Sequence, residues 1–213
     1  MFRRSDPVPQ VRPLPAEFLA WQVALRRHTM ESRHGAPHAG VAPLVLARRP
    51  GTILEVVSHS IICGILPRAE QLAEKTEAFR KLYESGIGDG ARAVYDRGIE
   101  QMRSYYTSPD DFDPASITTL LPKSLPLVEA LRVDPRCALV FHVFDLVDRS
   151  EVGKLRCLHL DALAEVLTAG PVYDNVWWHN ALFHGPVEDH VVVHFCHLAS
   201  WDTRFGALEP VGA

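Results

Sequence analysis

The run Ser116-Ile-Thr-Thr-Leu-Leu-Pro-Lys123 constrains this chain more than any other. It is followed by Leu127-Val-Glu-Ala-Leu131, Asp134-Pro-Arg136 and the apolar stretch Ala138-Leu-Val-Phe-His-Val-Phe144. The last stretch is apolar enough for a strand buried on both faces, so it needs a layer of structure on each side. The segment before it reads as a short helix that feeds this strand. Ahead of that helix stand several hydroxyls and one lysine. A phosphate needs such a place, with several donors and one positive charge beside ordered backbone. Read more plainly, the same residues make an ordinary loop, helix and strand.

A chain of 213 residues suits one domain, or one domain with an insertion, and 47% hydrophobic residues suffice for a full core. The formal net charge of -4 carries no basic excess, so no nucleic-acid partner is expected. No apolar run approaches the roughly 20 residues that span a bilayer, so no membrane partner is expected. The opening residues carry charge with no apolar stretch after them, so no secretory signal is expected. None of Cys63, Cys137, Cys157 and Cys196 forms a Cys-x-x-Cys pair. They read as buried free thiols in a reducing, cytoplasmic compartment.

Along the chain, four prolines within the first 15 residues make an extended arm. Residues 16–31 read as a helix with Phe18, Leu19, Trp21 and Leu25 on its apolar face. Two strand patterns, one running to Leu46 and one starting at Thr52, make a β-hairpin around Arg48-Arg-Pro-Gly51. Residues 66–106 change period. Leu66, Leu72, Phe79 and Tyr83, then Val94, Ile99, Met102 and Tyr106, follow helical spacing on either side of Gly86-Ile-Gly-Asp-Gly90. This predicts an αα-hairpin whose aromatic stripe is core packing. Asp110, Asp111 and Asp113 mark a solvated acidic loop. From Ile117 the patterns are mostly β-type. The stretch 154–167 is one long strand or turns helical in its second half. A short helix is expected over 172–179, capped by Asp174 or Asn175. His190 to Leu198 is a strand, and Trp201 to Leu208 ends the core.

The order of these features resembles the pyridoxamine-phosphate-oxidase-like, FMN-binding split β-barrel family. The residues that carry the likeness are Gly35-Ala-Pro-His-Ala-Gly-Val-Ala-Pro43, Thr118, Thr119, Lys123, Leu127, Leu131, Asp134-Pro-Arg136, the strand after it, and Ala164-Glu-Val-Leu167. They cover about half of the chain. The chain departs from the pattern at its helical hairpin, in lacking an Arg-x-x-x-Leu-Lys strand, and at Asp161-Ala-Leu163, where a glycine is usual. The resemblance implies an α+β split β-barrel, mainly antiparallel, spanning 1–213 with a helical insertion at about 66–106. It further implies a homodimer holding FMN and acting as an oxidoreductase on a small molecule. Thr118, Thr119 and Lys123 would hold the phosphate, with His38 and Trp178 as further cofactor contacts.

Five of the 11 histidines, His179, His184, His190, His194 and His197, crowd the C-terminal part. Strand alternation puts His190 and His194 on one face and His197 on the other. Three readings stay open. The rings bond to backbone or carboxylates, or they touch a flavin, or they bind haem or a metal, with His179, His184 and His194 as ligands. A split barrel without any cofactor, serving as an interaction module, is a further alternative. No P-loop, Gly-x-Ser-x-Gly or His-Glu-x-x-His pattern is present.

Overall fold

Long antiparallel pairings between distant segments, rather than the helices, organise the molecule. The computed structural model describes residues 13–14, 16–31, 43–51, 55–143, 156–204 and 207–210. The Gly35–Pro43 motif with His38 therefore lies almost wholly outside the described residues, as do the proline-rich arm and the turn after β4. Seven strands make one sheet: β1 (Leu44–Arg48), β2 (Val56–Ser60), β3 (Ile117–Pro122), β4 (Arg136–Val143), β5 (Arg156–Leu167), β6 (His190–Arg204) and β7 (Ala207–Pro210). Their order is β2-β1-β4-β5-β6-β3, every pairing is antiparallel, and β7 adds to β6. The helices are α1 (Ala16–Glu31), α2 (Ala69–Gly86), α3 (Ala91–Tyr105), α4 (Pro126–Val133) and α5 (Pro171–His184).

The sheet curls until its ends meet. After β2 the chain crosses to β3, where the Gly64 N–H donates to Thr118 O at 2.6 Å and the Thr118 N–H returns to Gly64 O at 2.9 Å. Beyond Gly64 the chain stays pinned, with Asp113 N–H bonded to Leu66 O and Arg68 N–H to Asp111 O. The result is the expected α+β class, a six-stranded split barrel whose closure rests on one isolated bridge. Val45, Leu139, Phe141, Leu160, Val191, Val193 and Phe195 are buried in its core. Val192 is fully buried as well, so β6 is covered on both faces. α4 supplies Leu127, Val128, Ala130 and Leu131 to this core.

The αα-hairpin forms as the periodicity requires, with a 3-10 turn over Ile87–Asp89 and Gly90 at φ +90° between its helices. Leu66, expected in its first turn, lies before α2 in the bridging segment. Val94, Gly98, Met102 and Tyr105 make the buried stripe of α3. α2 packs chiefly on α5, where the buried Asn175 amide donates to Thr76 Oγ1 at 3.0 Å.

Of the two readings of the 154–167 stretch, the strand is the one formed over Arg156–Leu167, where every residue has a backbone partner on β4 or β6. Two local expectations are corrected. α5 starts at Pro171 and runs to His184, with Asp174 and Asn175 inside it rather than capping it. Proline is suited to the first helical position, and the Gly170 carbonyl already accepts the Asp174 N–H. The acidic loop is more than solvated surface. Phe112 is buried, and the Asp113 carboxylate accepts bonds from the Ala115 N–H and the Ser116 hydroxyl.

Candidate functional site

A partly open cavity of about 140 Å³ lies where α5, the end of α3 and α1 meet the outside of the barrel closure. Its polar lining includes Arg26, Tyr106, Thr118, Thr119, His179, Asn180 and His184. Ile62, Met102, Leu120, Val176 and Phe183 give it apolar walls. A cavity of about 150 Å³ is known to take one benzene-sized ring, so this recess holds one ring and not a whole flavin or haem.

Arg26 projects from α1 and is nearly fully buried. Its guanidinium donates to Gln22 O and Oε1 and to Cys63 O, and it lies 5.4 Å from the Tyr106 ring centre. A buried charge is tolerated only with such partners. Burial pushes the Tyr106 phenol above its ordinary range, partly offset by the Arg26 charge, so the phenol keeps its proton. Tyr106 Oη and His179 Nε2 lie 3.2 Å apart. The cavity wall thus carries a cation, a neutral phenol, two imidazoles, an amide and two hydroxyls. These can orient the polar edge of a planar ligand.

Burial also pushes the Cys63 thiol up to about 11, so this buried sulfur is protonated at neutral pH and unsuited to nucleophilic attack.

The residues singled out in the sequence fall into separate places. Thr118 and Thr119 lie on β3, not in a loop, and both line the cavity. The Thr119 hydroxyl spends its proton on Ile62 O at 2.7 Å. Lys123 stands just past the far end of β3. Four residues beyond Thr119 along a strand is about 13 Å from backbone to backbone. Lys123 is half-exposed and pairs loosely with Asp189 at 3.5 Å. Trp178 packs against Tyr83 and Trp177, in the seam between α2 and α5. His179 and His184 share the cavity, although about 140° apart around α5. His194, on β6, does not line the cavity but sits between Thr118 of β3 and Glu165 of β5, with Nδ1 at 3.3 Å from Glu165 Oε2. His197 adopts φ +52° where β5 and β6 slip register, which breaks the simple alternation expected there.

Arg26, Tyr106 and the Ile62–Gly64 segment escaped the sequence reading. Arg26 looks like an ordinary charge on a helix with an irregular apolar face, and only the tertiary fold turns it inward.

No known family profile and no curated protein matches this chain in sequence. Similar solved structures include a protein assigned as a pyridoxamine 5′-phosphate oxidase from Listeria innocua. It is 10% identical, with 92% of this chain and 99% of that chain covered and a TM-score of 0.42. A heme binding protein from Mycobacterium smegmatis is 9% identical, over 88% of this chain and 56% of that one, with a TM-score of 0.46. The General Stress Protein 26 from Bacillus anthracis is 4% identical, over 89% and 98%, with a TM-score of 0.42. The α+β split-barrel class of this chain rests on its own strand order and on the Gly64–Thr118 closure. Among the described residues no helix is long and apolar enough to cross a membrane.

Proposed function

We propose that this protein is an oxidoreductase of the FMN-binding split-barrel type, acting on a small molecule as a cytoplasmic homodimer. One observation carries the reading: the cavity under α5 joins a buried guanidinium and four other kinds of polar group to apolar walls, at the size of one ring. An FMN extended along β3 would seat the edge of its ring system there and bring its phosphate towards Lys123. The remaining rings would lie across the mouth, where a second copy would cover them.

In this reading Thr118, Asn180 and the Tyr106–His179 pair orient the ring edge, the Arg26 charge favours an electron-rich ligand, and Lys123 acts as a point charge on the phosphate. The flavin, when bound, supplies the redox chemistry, and the protein supplies position and electrostatics. A haem reading draws on one observation, that His179 and His184 both line the cavity.

The test is the absorbance spectrum of freshly purified protein, with mass spectrometry of what denaturation releases. Oxidised-flavin absorbance and released FMN are expected. Lys123→Ala is then expected to weaken FMN binding roughly tenfold, as the loss of one charge-assisted contact does. A Soret band would replace the flavin reading by the haem one. A colourless protein that takes up neither FMN nor haem would leave the barrel as a cofactor-free interaction module.

A further inference from the structure

The pairing of β5 with β6 assembles a second group of side chains, next to the cavity wall, since His194 also stands opposite Thr118 of β3. Glu165 stands directly opposite His194, and Cys196 follows two residues along β6. Residues two apart on a strand share a face, and directly opposite partners hold their Cβ atoms about 5 Å apart. One carboxylate oxygen, one imidazole nitrogen and one thiol sulfur accordingly lie within 4.8 Å of one another.

We propose that Glu165, His194 and Cys196 form a binding site for a borderline-soft divalent cation, zinc being the best match. Oxygen, nitrogen and sulfur from three side chains, with an open side, is the donor set of a three-ligand zinc centre whose fourth position is left for water. A tetrahedral ion with bonds of about 2.0 to 2.3 Å needs its ligands about 3.3 to 3.8 Å apart. The present spacing therefore requires only a modest inward movement. Glu165 is exposed and long enough to make it, while His194 and Cys196 are held on the sheet.

One detail fits an ion here: His194 Nδ1 and Glu165 Oε2 lie 3.3 Å apart, the separation of two ligands on one tetrahedral ion. The Cys196 thiol donates to Leu163 O at 3.4 Å. On binding, the cation takes the place of the thiol proton, which leaves to solvent as a metal–sulfur bond forms.

The test does not depend on activity. The full-length protein, stripped with a chelator, is titrated with Co²⁺ and then Zn²⁺ while difference absorbance is recorded. One equivalent per chain, a thiolate-to-cobalt charge-transfer band and its loss to Zn²⁺ are expected. Cys196→Ser should abolish that band. Glu165→Gln, which touches an exposed side chain and spares the core, should weaken binding roughly tenfold or more. His184→Ala should bind Co²⁺ as the parent does. Absence of a thiolate band, or binding indifferent to both Cys196→Ser and Glu165→Gln, overturns the proposal.

Discussion

Arg26 illustrates how a single residue can join a wall of the barrel to a candidate site. Its guanidinium grips the Cys63 carbonyl while the Thr119 hydroxyl holds the neighbouring Ile62 carbonyl. The strand that closes the barrel is therefore clasped from two sides by groups that also line the cavity. Asp134 does comparable work at the end of α4. Its carboxylate accepts the Arg136 N–H and two guanidinium bonds, at 2.8 and 2.7 Å, fixing the turn into β4. Those bonds to Arg136 hold its carboxyl below the ordinary value of 3.8. A depressed folded value means the stabilisation is present above the unfolded value and is lost as pH falls through the folded one. Because Arg136 is largely exposed, Asp134→Asn should cost about 0.5 to 1 kcal/mol near pH 7. The difference from the parent should vanish in strongly acidic solution, as read by urea unfolding at both pH values. An equal loss at every pH would show that the charge is not what Asp134 contributes.

At the scale of elements, the closure between the segment after β2 and β3 is the weakest-looking joint with the largest consequence. A Cβ at Gly64 would come within 2.8 Å of Thr118 Oγ1, closer than side chains approach one another. Gly64→Ala should therefore push β3 and the bridging segment apart. The expected cost is about 1 to 3 kcal/mol, as overpacking of a tight contact costs. Thermal unfolding and ligand uptake should both register it, because Gly64 and Thr118 line the cavity. Unchanged stability would mean that the bridge contributes nothing to the barrel. The helices were more legible than this joint. Val94, Met102 and Tyr105 announce α3 by spacing alone, since helical order is local. The full length of β5 was not legible, because strand pairing is non-local. The run 160–167 is equally compatible with a helix until β4 and β6 occupy its two edges.

For the whole molecule, the proposed homodimer can be probed at Ile62, which lines the cavity and is 51% exposed. We expect a homodimer in solution, with a mass twice that of the chain by analytical ultracentrifugation. Ile62→Asp should shift the equilibrium towards monomer and weaken cofactor uptake together. A monomeric parent, or a monomeric variant with undiminished uptake, would separate the site from assembly.

The sequence by itself marked most of the elements, while the α+β split-barrel class was what its resemblance to a known family implied. Alternating and continuous apolar runs specify buried strands, and helical spacing over 66–106 specifies a hairpin of helices, because both signals lie within a few residues of one another. It also marked Thr118, Thr119, His179 and His184 without saying that they meet. Only the tertiary structure decided which residues converge. Lys123 is close to the threonines in sequence but about 13 Å from Thr119 along an extended strand. Arg26, far away in the chain, is brought to the same cavity by the packing of α1. His194 looked like a companion of His179 and His184, until register set it against Glu165 and Cys196. Register is fixed by the total burial of both sheet faces, a quantity that no local stretch of sequence contains.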